Sequence, residues 1–203
     1  FERAFAMDPA LGFAAYNAGV VYERMGDVIR ARDAYVRALK VTADFEPASQ
    51  NLTRLRLRTG RAEEAEADLR DAVRLAPRRP DGHAALAVLH ERRRRPDAAE
   101  AEHRAALALA PRDPRYLNNL GYALLVHGKA AQALPVLREA AREDPMSRRT
   151  RNNLGFAFAR LADYPRAARE FELGGTPAEA KNNLGFAYEW AGNLAQARAH
   201  YED

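Results

Sequence analysis

The chain has 203 residues, of which 32 are basic and 28 are acidic, and it contains no cysteine. The missing cysteine excludes disulfides, thiolate metal sites and thiol nucleophiles. The net charge is +4, which over this length is much less positive charge than the basic patch of a dedicated nucleic-acid-binding domain carries. We therefore expect no nucleic-acid partner.

The two ends of the sequence, FERAFAMDP and ARAHYED, lie inside amphipathic helical patterns. We therefore expect the chain to be part of a longer protein. No apolar run approaches the roughly 20 residues that span a bilayer, so we expect no direct membrane insertion. The compartment stays open: cytoplasmic, or periplasmic and attached to the outer membrane if the complete protein carries a lipoprotein signal.

A period of 34 residues runs through the chain. It is carried by small or hydroxyl-bearing residues at Gly19, Thr53, Ala87, Gly121 and Gly155. It is also carried by prolines at Pro77, Pro111 and Pro145, with Pro9 two periods before Pro77 and Ala43 in the intervening place. The period divides the chain into units 12–45, 46–79, 80–113, 114–147, a shortened unit 148–177 and a partial unit 178–203, while residues 1–11 end an earlier unit.

Each unit, numbered from position 1 to position 34, has the pattern of two helices. Apolar or small residues recur at positions 4, 7, 8 and 11 and again at positions 20, 24 and 27, which is helical spacing. A break near position 15 separates the two runs, with Gly26, Gly60 and Gly128 in three units and Arg94 in a fourth. We therefore expect a helix, a tight turn, a second helix and a proline-containing turn in each unit.

This pattern resembles the tetratricopeptide repeat (TPR) family, which has a small residue at position 8, Ala at 20, an aromatic residue or Leu at 24, Ala at 27 and Pro at 32. In one unit these positions are Gly121, Ala133, Leu137, Ala140 and Pro145, and position 20 is Ala in all six units. The resemblance implies an all-α fold, a right-handed superhelical solenoid of antiparallel helix pairs. It also implies a non-catalytic scaffold that binds a protein or peptide partner.

The first helix of each unit has two distinct faces. At about 100° per residue, positions 4, 7, 8 and 11 cluster on one side and positions 2, 6, 9 and 13 on the other. We expect the first set to form the core and the second set to line the concave surface that stacked helix pairs offer to partners.

Position 6 is an asparagine in five of the six units: Asn17, Asn51, Asn119, Asn153 and Asn183. A primary amide offers both a donor and an acceptor, so a row of amides can hold the backbone of an extended peptide. In TPR proteins with such an asparagine row, the ligand is an extended peptide. The alternative is that these amides hydrogen-bond to a neighbouring repeat.

Aromatic residues stand beside these amides in the last three units. Tyr122, Phe156 and Phe186 occupy position 9, and Trp190 extends the row at position 13. We expect them to contact apolar side chains of the partner. The alternative is packing between adjacent first helices.

Arginines occupy the same surface in the first three units. Arg24, Arg58 and Arg92 hold position 13 and Arg54 holds position 9 of the second unit. Such a stripe suits a carboxylate- or phosphate-bearing ligand. The alternative is a solvated face in which Glu23 and Glu91 neutralise the arginines. The run RRRR at 92–95 falls in a turn between helices and has no interleaved aromatic residues.

The unit 148–177 is shorter than the others, because Gly155 and Gly185 are 30 residues apart. We expect its second helix to lose about one turn and to end at Gly174, with Gly175 in a left-handed cap. The stretch EFELGGTPAEAKNNLG resembles bacterial pilus-assembly TPR proteins of the tight-adherence, TadD-like group. That resemblance implies a role in pilus or secretion-type assembly.

Three histidines fall in one unit, His83, His90 and His103 at positions 4, 11 and 24. His83 and His90 are seven residues apart, too far along a helix for one ion, whereas a site formed by His90 and His103 stays geometrically possible. We expect ordinary core or half-buried histidines and no metal, and the alternative is a pH-sensitive region. No catalytic or phosphate-binding motif appears, so we predict no enzyme activity and no cofactor. Besides peptide binding, the sequence leaves open self-association into a homo-oligomer and binding of an acidic ligand by the arginine stripe.

Overall fold

The computed structural model describes residues 9–42 and 45–202. These residues form twelve α-helices and contain no strand. The helices are α1 (Pro9–Arg24), α2 (Val28–Val41), α3 (Glu46–Arg58), α4 (Ala62–Leu75), α5 (Pro80–Arg92), α6 (Pro96–Leu109), α7 (Pro114–Val126), α8 (Ala130–Glu143), α9 (Arg148–Arg160), α10 (Tyr164–Gly174), α11 (Pro177–Trp190) and α12 (Leu194–Glu202).

The chain divides into two compact units, Phe1–Arg95 and Pro96–Asp203. From here on, the first unit and the second unit mean these two compact units, and the 34-residue units of the sequence are called repeats. The first unit contains α1 to α5 and the second contains α6 to α12, and within each unit consecutive helices pack against one another. We call the odd-numbered helices the leading helices. In the second unit, the leading helix α9 also contacts the leading helices α7 and α11 directly.

Polar side chains fix the starts of several helices. Asp27, Ser147 and Asp163 precede α2, α9 and α10, and each accepts a hydrogen bond from a backbone N–H of the first turn. Thr176 precedes α11 and forms a reciprocal capping box with Glu179. The first N–H groups of a helix have no partner within the helix, and these side chains satisfy them. The capping residues therefore fix where each of these helices begins.

Small residues allow the helices of a pair to approach closely. The alanines at position 20 are at most 3% exposed: Ala31, Ala65, Ala99, Ala133, Ala167 and Ala197. A Cβ added at Gly121 would lie 2.5 Å from Leu137, and one added at Gly155 would lie 2.5 Å from the Phe171 ring. Position 8 is therefore small because the side chain at position 24 rests on its backbone.

The three-residue turns after the leading helices share one backbone conformation. All six residues at position 15 have positive φ: Gly26, Gly60, Arg94, Gly128, Ala162 and Gly192. Four are glycines, which adopt this conformation without cost. Arg94 at 55° and Ala162 at 60° carry a Cβ and are strained.

We expect the substitution Ala162→Gly to stabilise the protein by about 1 kcal/mol, because it removes the left-handed strain. Ala162 is exposed, so little packing is lost. The free energy of unfolding from urea denaturation checks this. The matched control is Ala191→Gly, at the αR C-cap of α11, which should not stabilise; equal gains in both variants would contradict the strain argument.

For the repeat 148–177, the structure confirms the shortened second helix and corrects the predicted cap. α10 has 11 residues whereas α8 has 14, so about one turn is lost, and α10 ends at Gly174. The prediction of a left-handed cap at Gly175 is wrong, because its φ of −165° is extended. Only Gly175 and Thr176 separate α10 from α11, so Gly175 must be extended to bring the chain to the N-cap of α11. The Gly174 carbonyl accepts a hydrogen bond from Arg148 Nε at 3.0 Å.

The prolines of position 32 mostly lie where the period predicts. Pro77, Pro111 and Pro145 occupy turns between helices. Pro9 instead begins α1, a place that suits proline because the first turn of a helix leaves its N–H groups unpaired. Ala43, the helical pattern expected over residues 1–8 and the final residue of the partial repeat 178–203 lie outside the described residues.

Candidate peptide-binding surface

The leading helices of the second unit have the two faces that the sequence predicts. On α7 and α9, Leu120, Leu124, Leu154 and Phe158 are buried in the core. On the opposite face of α7, Tyr122 is 48% exposed. We define the amide–aromatic wall as the asparagines at position 6 and the aromatic residues at positions 9 and 13 of α7, α9 and α11: Asn119, Tyr122, Asn153, Phe156, Asn183, Phe186 and Trp190.

The amides of the wall are linked to the neighbouring leading helix. Asn153 Nδ2 donates to Asn118 Oδ1 at 2.9 Å, and Asn183 Nδ2 donates to Asn152 Oδ1 at 3.4 Å. The hydrogen bonding to a neighbouring repeat is thus present. It uses one N–H of each amide, so among residues 9–42 and 45–202 a second N–H and the carbonyl oxygen of Asn153 and Asn183 stay available for a ligand.

These bonds explain why the letters NNLG recur at 118–121, 152–155 and 182–185. In the first two copies the leading asparagine, Asn118 or Asn152, accepts from the second asparagine of the next copy. The leucine enters the core and the glycine accommodates the second helix. The period pointed only to the second asparagine of each copy, at position 6, and the recurring doublet NN was the signal for the first.

The predicted amide row occurs as two separate groups. Asn119, Asn153 and Asn183 belong to the second unit, whereas Asn17 and Asn51 belong to the first. Asn17 is exposed, and Asn51 Nδ2 lies 3.3 Å from the Tyr35 hydroxyl and 3.5 Å from the Tyr16 hydroxyl. In the first unit, Asn51 is therefore part of a tyrosine network.

The aromatic residues of the wall differ in exposure. Phe186 and Trp190 are 46% and 42% exposed, and their rings are 6.1 Å apart. Phe156 is half-buried, with its ring 4.8 Å from Phe171 and 5.8 Å from Phe186. Phe156 thus takes part in the inter-helix packing that was the alternative, while the side chains of Tyr122, Phe186 and Trp190 are only about half covered.

A groove of about 270 Å³ lies at the α7 end of the wall, lined by Asn118, Asn119, Tyr122, Arg149 and Asn153. Arg149 is exposed and forms no ion pair with any residue that the structure describes. Arg149 was not among the predicted site residues. It stands at position 2 of its repeat, one of the four positions assigned to this face, so the helical rotation contained the signal.

Trp190 has a cationic neighbour. The Arg160 guanidinium lies 4.3 Å from the centre of the Trp190 ring, a cation–π contact. Arg160 occupies position 13 of α9, so its contact links α9 to α11 across the wall. The groove and this contact together place two arginines beside the amides and aromatic rings.

The arginine stripe of the first unit is partly neutralised. Glu23 lies 3.3 Å from both Arg54 and Arg58, while Arg24 and Arg92 are exposed. In the RRRR run, Arg93 and Arg95 contact Glu66 at 2.5 Å and 3.2 Å. Ion pairs within the chain therefore neutralise much of the positive charge of Arg54, Arg58, Arg93 and Arg95.

Glu23 also accepts a hydrogen bond from the buried Tyr35 hydroxyl at 2.8 Å. Burial, together with the Glu23 carboxylate, raises the pKa of Tyr35 from 10.0 to about 12. A pKa above its unfolded value means that the stabilisation is complete below about pH 10 and is lost as the pH rises toward the native pKa.

We therefore expect the free energy of unfolding to fall between about pH 10 and pH 12, and to fall less in Tyr35→Phe. Urea denaturation at stepped pH values measures the difference. Parallel pH profiles for the two proteins would contradict the assignment to Tyr35.

The three histidines of the repeat 80–113 differ in burial. His90 and His103 are buried and His83 is half-buried. His83 and His90 lie in the first compact unit and His103 in the second. Within residues 9–42 and 45–202, no cluster of three or more potential ligands could hold a metal ion. Over the same residues, no helix has the length and apolar character required to cross a membrane.

Comparison with known families assigns the fold. Models described as tetratricopeptide repeat match residues 14–45, 51–114, 118–178 and 178–203. The chain belongs to the tetratricopeptide repeat family. The all-α repeat fold that the resemblance to this family implied is therefore confirmed.

Solved TPR structures are similar in fold. A TPR protein from Parabacteroides merdae shares 16% identity with a TM-score of 0.75, covering 95% of this chain and 78% of its own. PilF from Pseudomonas aeruginosa shares 18% identity with a TM-score of 0.70, covering 94% and 89%. YrrB, described as a TPR protein with an unusual peptide-binding site, shares 16% identity with a TM-score of 0.59, covering 93% and 91%. A search of curated protein sequences found no significant match.

Proposed function

We propose that this TPR chain is a non-catalytic scaffold that binds an extended segment of a partner protein on the amide–aromatic wall. The observation that carries the proposal is the two-faced leading helix of the second unit. Leu120 and Leu154 are buried in the core, whereas the rings of Tyr122 and Phe186 stay about half exposed beside amides that use only one N–H each among the residues that the structure describes. The amides would hold the backbone of the segment and the rings would contact its apolar side chains.

The known relatives support this class of function. TPR proteins are generally non-catalytic scaffolds that bind protein partners. The fold neighbour YrrB is described as having a peptide-binding site. We place the scaffold in bacterial pilus or secretion-type assembly, for which the support is the stretch EFELGGTPAEAKNNLG and the fold likeness to PilF.

The test uses peptides selected from a random twelve-residue library on the wild-type chain. We expect Asn119→Ala combined with Tyr122→Ala to weaken the selected peptides at least tenfold, measured by fluorescence anisotropy. Asn119 and Tyr122 are preferable to Asn153 and Phe156, because Asn153 bonds to a neighbouring helix and Phe156 packs between two.

The matched control is Arg169→Ala combined with Leu173→Ala, which removes an exposed charge and an exposed apolar side chain from α10. It should leave affinity unchanged. Selected peptides that bind both double variants as tightly as the wild type would refute the proposed function.

A further inference from the structure

The side chains of the wall follow a fixed order along their helices. On α9, Arg149, Asn153 and Phe156 hold positions 2, 6 and 9, so they follow one another on one face, about 6 Å and about 4.5 Å apart along the axis. The same order holds on α7 and α11. The amides therefore lie between a charged edge at position 2, formed by Arg115, Arg149 and Glu179, and an apolar edge at positions 9 and 13, formed by Tyr122, Val126, Phe156, Phe186 and Trp190.

Arg149 is the residue of the charged edge that is open to a ligand. Arg115 contacts Asp113 at 2.9 Å, and Glu179 contacts Arg148 at 2.7 Å. Arg149 is exposed and forms no ion pair among the residues that the structure describes. It also lines the groove of about 270 Å³ beside two amides of the wall. A carboxylate that enters this groove would therefore meet a guanidinium without a carboxylate partner.

The apolar edge is nearly continuous from α9 to α11. The ring of Phe186 lies 5.8 Å from that of Phe156 and 6.1 Å from that of Trp190. The Arg160 guanidinium lies over the Trp190 ring, 4.3 Å from its centre. The apolar surface that is left for a ligand therefore consists mainly of three half-exposed side chains, Tyr122, Val126 and Phe186.

A segment held by all the amides of the wall must cross the leading helices, because Asn119, Asn153 and Asn183 stand on three helices, of which α9 contacts the other two. In an extended strand the N–H and C=O groups point sideways, and the side chains stand at right angles to them and alternate in direction. A strand whose N–H and C=O groups face the amides therefore directs its side chains along the helix axes. Successive side chains then point in turn to the charged edge and to the apolar edge.

We propose that the wall binds an extended segment in which apolar residues alternate with polar ones, and in which the polar residue opposite Arg149 is acidic. The apolar side chains contact the apolar edge, and the carboxylate pairs with Arg149 in the groove. The carboxylate belongs to a side chain, because the alternation places it between two apolar residues within the segment. This inference rests on the proposed function and specifies the chemistry of the partner.

The probe is a nine-residue peptide, Ser-Val-Ser-Val-Glu-Val-Ser-Val-Ser, labelled at its N-terminus and amidated at its C-terminus. Its pattern reads the same in both directions, so either orientation of the bound strand is tested. The control peptide, Ser-Ser-Val-Val-Glu-Val-Val-Ser-Ser, keeps the composition and the central glutamate but directs only two of its four valines to the apolar edge. By fluorescence anisotropy, we expect the control peptide to bind at least tenfold more weakly than the probe. Equal affinities, or no binding of either peptide, would overturn the alternation.

The charge pairing is tested by a double-mutant cycle between the chain and the peptide. Arg149→Gln and replacement of the peptide glutamate by glutamine should each weaken binding about fivefold, and their combination should be no weaker than either alone. The matched control is Arg169→Gln, which removes another exposed arginine, on α10, and should leave the affinity unchanged. Independent, multiplying losses, or an equal loss in the control, would remove Arg149 as the partner of the carboxylate.

A C-terminal carboxylate is the other source of the same charge, and the peptides distinguish it from a side chain. The amidated probe has no free C-terminal carboxylate, so its affinity must depend on the glutamate. We expect the free acid of the glutamine peptide to bind as weakly as its amide. A free acid that binds as tightly as the probe, and loses that affinity in Arg149→Gln, would assign the groove to a chain terminus and overturn the proposal.

The library selection separates this inference from the proposed function. Wall-dependent peptides with alternating apolar residues and an acidic residue that requires Arg149 would support both. Wall-dependent peptides that lack the alternation would keep the proposed function and overturn this inference. Selected peptides that are indifferent to Asn119→Ala with Tyr122→Ala would overturn both.

Discussion

Gly155→Ala should lower the free energy of unfolding by about 2–3 kcal/mol, although alanine is the better helix former by about 1 kcal/mol. The added Cβ would lie 2.5 Å from the ring of Phe171, which is fully buried. Because the ring is enclosed by core residues, it cannot move aside without straining its neighbours. Urea denaturation measures the loss, and a stabilised variant would show that helix propensity outweighs packing here.

A double-mutant cycle with Phe171→Ala tests the cause of that loss. Phe171→Ala alone should cost about 3–5 kcal/mol, because it opens a cavity in the core. In the combined variant the new methyl group enters the space that the ring vacates, so the two losses should not add. Strict additivity would mean that Gly155 and Phe171 act independently, contrary to the packing described.

Glu66→Ala should lower the free energy of unfolding by about 2 kcal/mol. The Glu66 side chain is 7% exposed and contacts Arg93 at 2.5 Å, Arg95 at 3.2 Å and Arg70 at 2.6 Å. Its removal leaves the Arg93 guanidinium, itself 20% exposed, without its buried partner. The cost stays below the roughly 3–5 kcal/mol of a fully enclosed pair, because solvent screens the more exposed arginines.

Glu63→Ala is the matched control for Glu66→Ala. Glu63 contacts the same Arg93 at 2.8 Å, but it is 78% exposed. Its loss should change stability by less than about 0.5 kcal/mol, as for most surface ion pairs. Equal losses for the two variants would show that burial of Glu66 is not what makes its ion pairs important.

Repetition made much of the fold predictable. A single helix pair gives a weak signal, but position 20 is alanine in six repeats, and each of these alanines is buried. The turn at position 15 was predictable for the same reason. There, repetition assigned Arg94 to the frame set by three glycines, and it has the same positive φ.

Contacts between repeats were harder to predict from the sequence than the place of a residue within its own repeat. The Asn118–Asn153 bond joins residues 35 positions apart, and only the recurrence of the doublet NN pointed to it. The burial of Phe156 depends on Phe171 and Phe186, which approach it from two other helices. At Gly175 the local preference of glycine for a left-handed cap was overridden by the short connection to α11.

On the candidate surface, too, contacts with distant residues were harder to predict than the face on which a side chain lies. Helical rotation placed the asparagines and aromatic rings on one face, because that depends only on the helix itself. Whether an arginine on that face is paired depends on residues far away in the sequence. Glu23 neutralises Arg54 and Arg58 from another helix, whereas Arg149 has no such partner within residues 9–42 and 45–202.

The central claim is that the side-chain amides of Asn119, Asn153 and Asn183 hold the backbone of a bound segment. Side-chain amide NMR signals of a ¹⁵N-labelled chain, followed while a library-selected peptide is titrated, test it most directly. We predict that these three signals shift and saturate with the measured affinity, while the Asn51 signal in the first unit stays unchanged. Saturating shifts confined to other residues, with these three amides unmoved, would contradict the account.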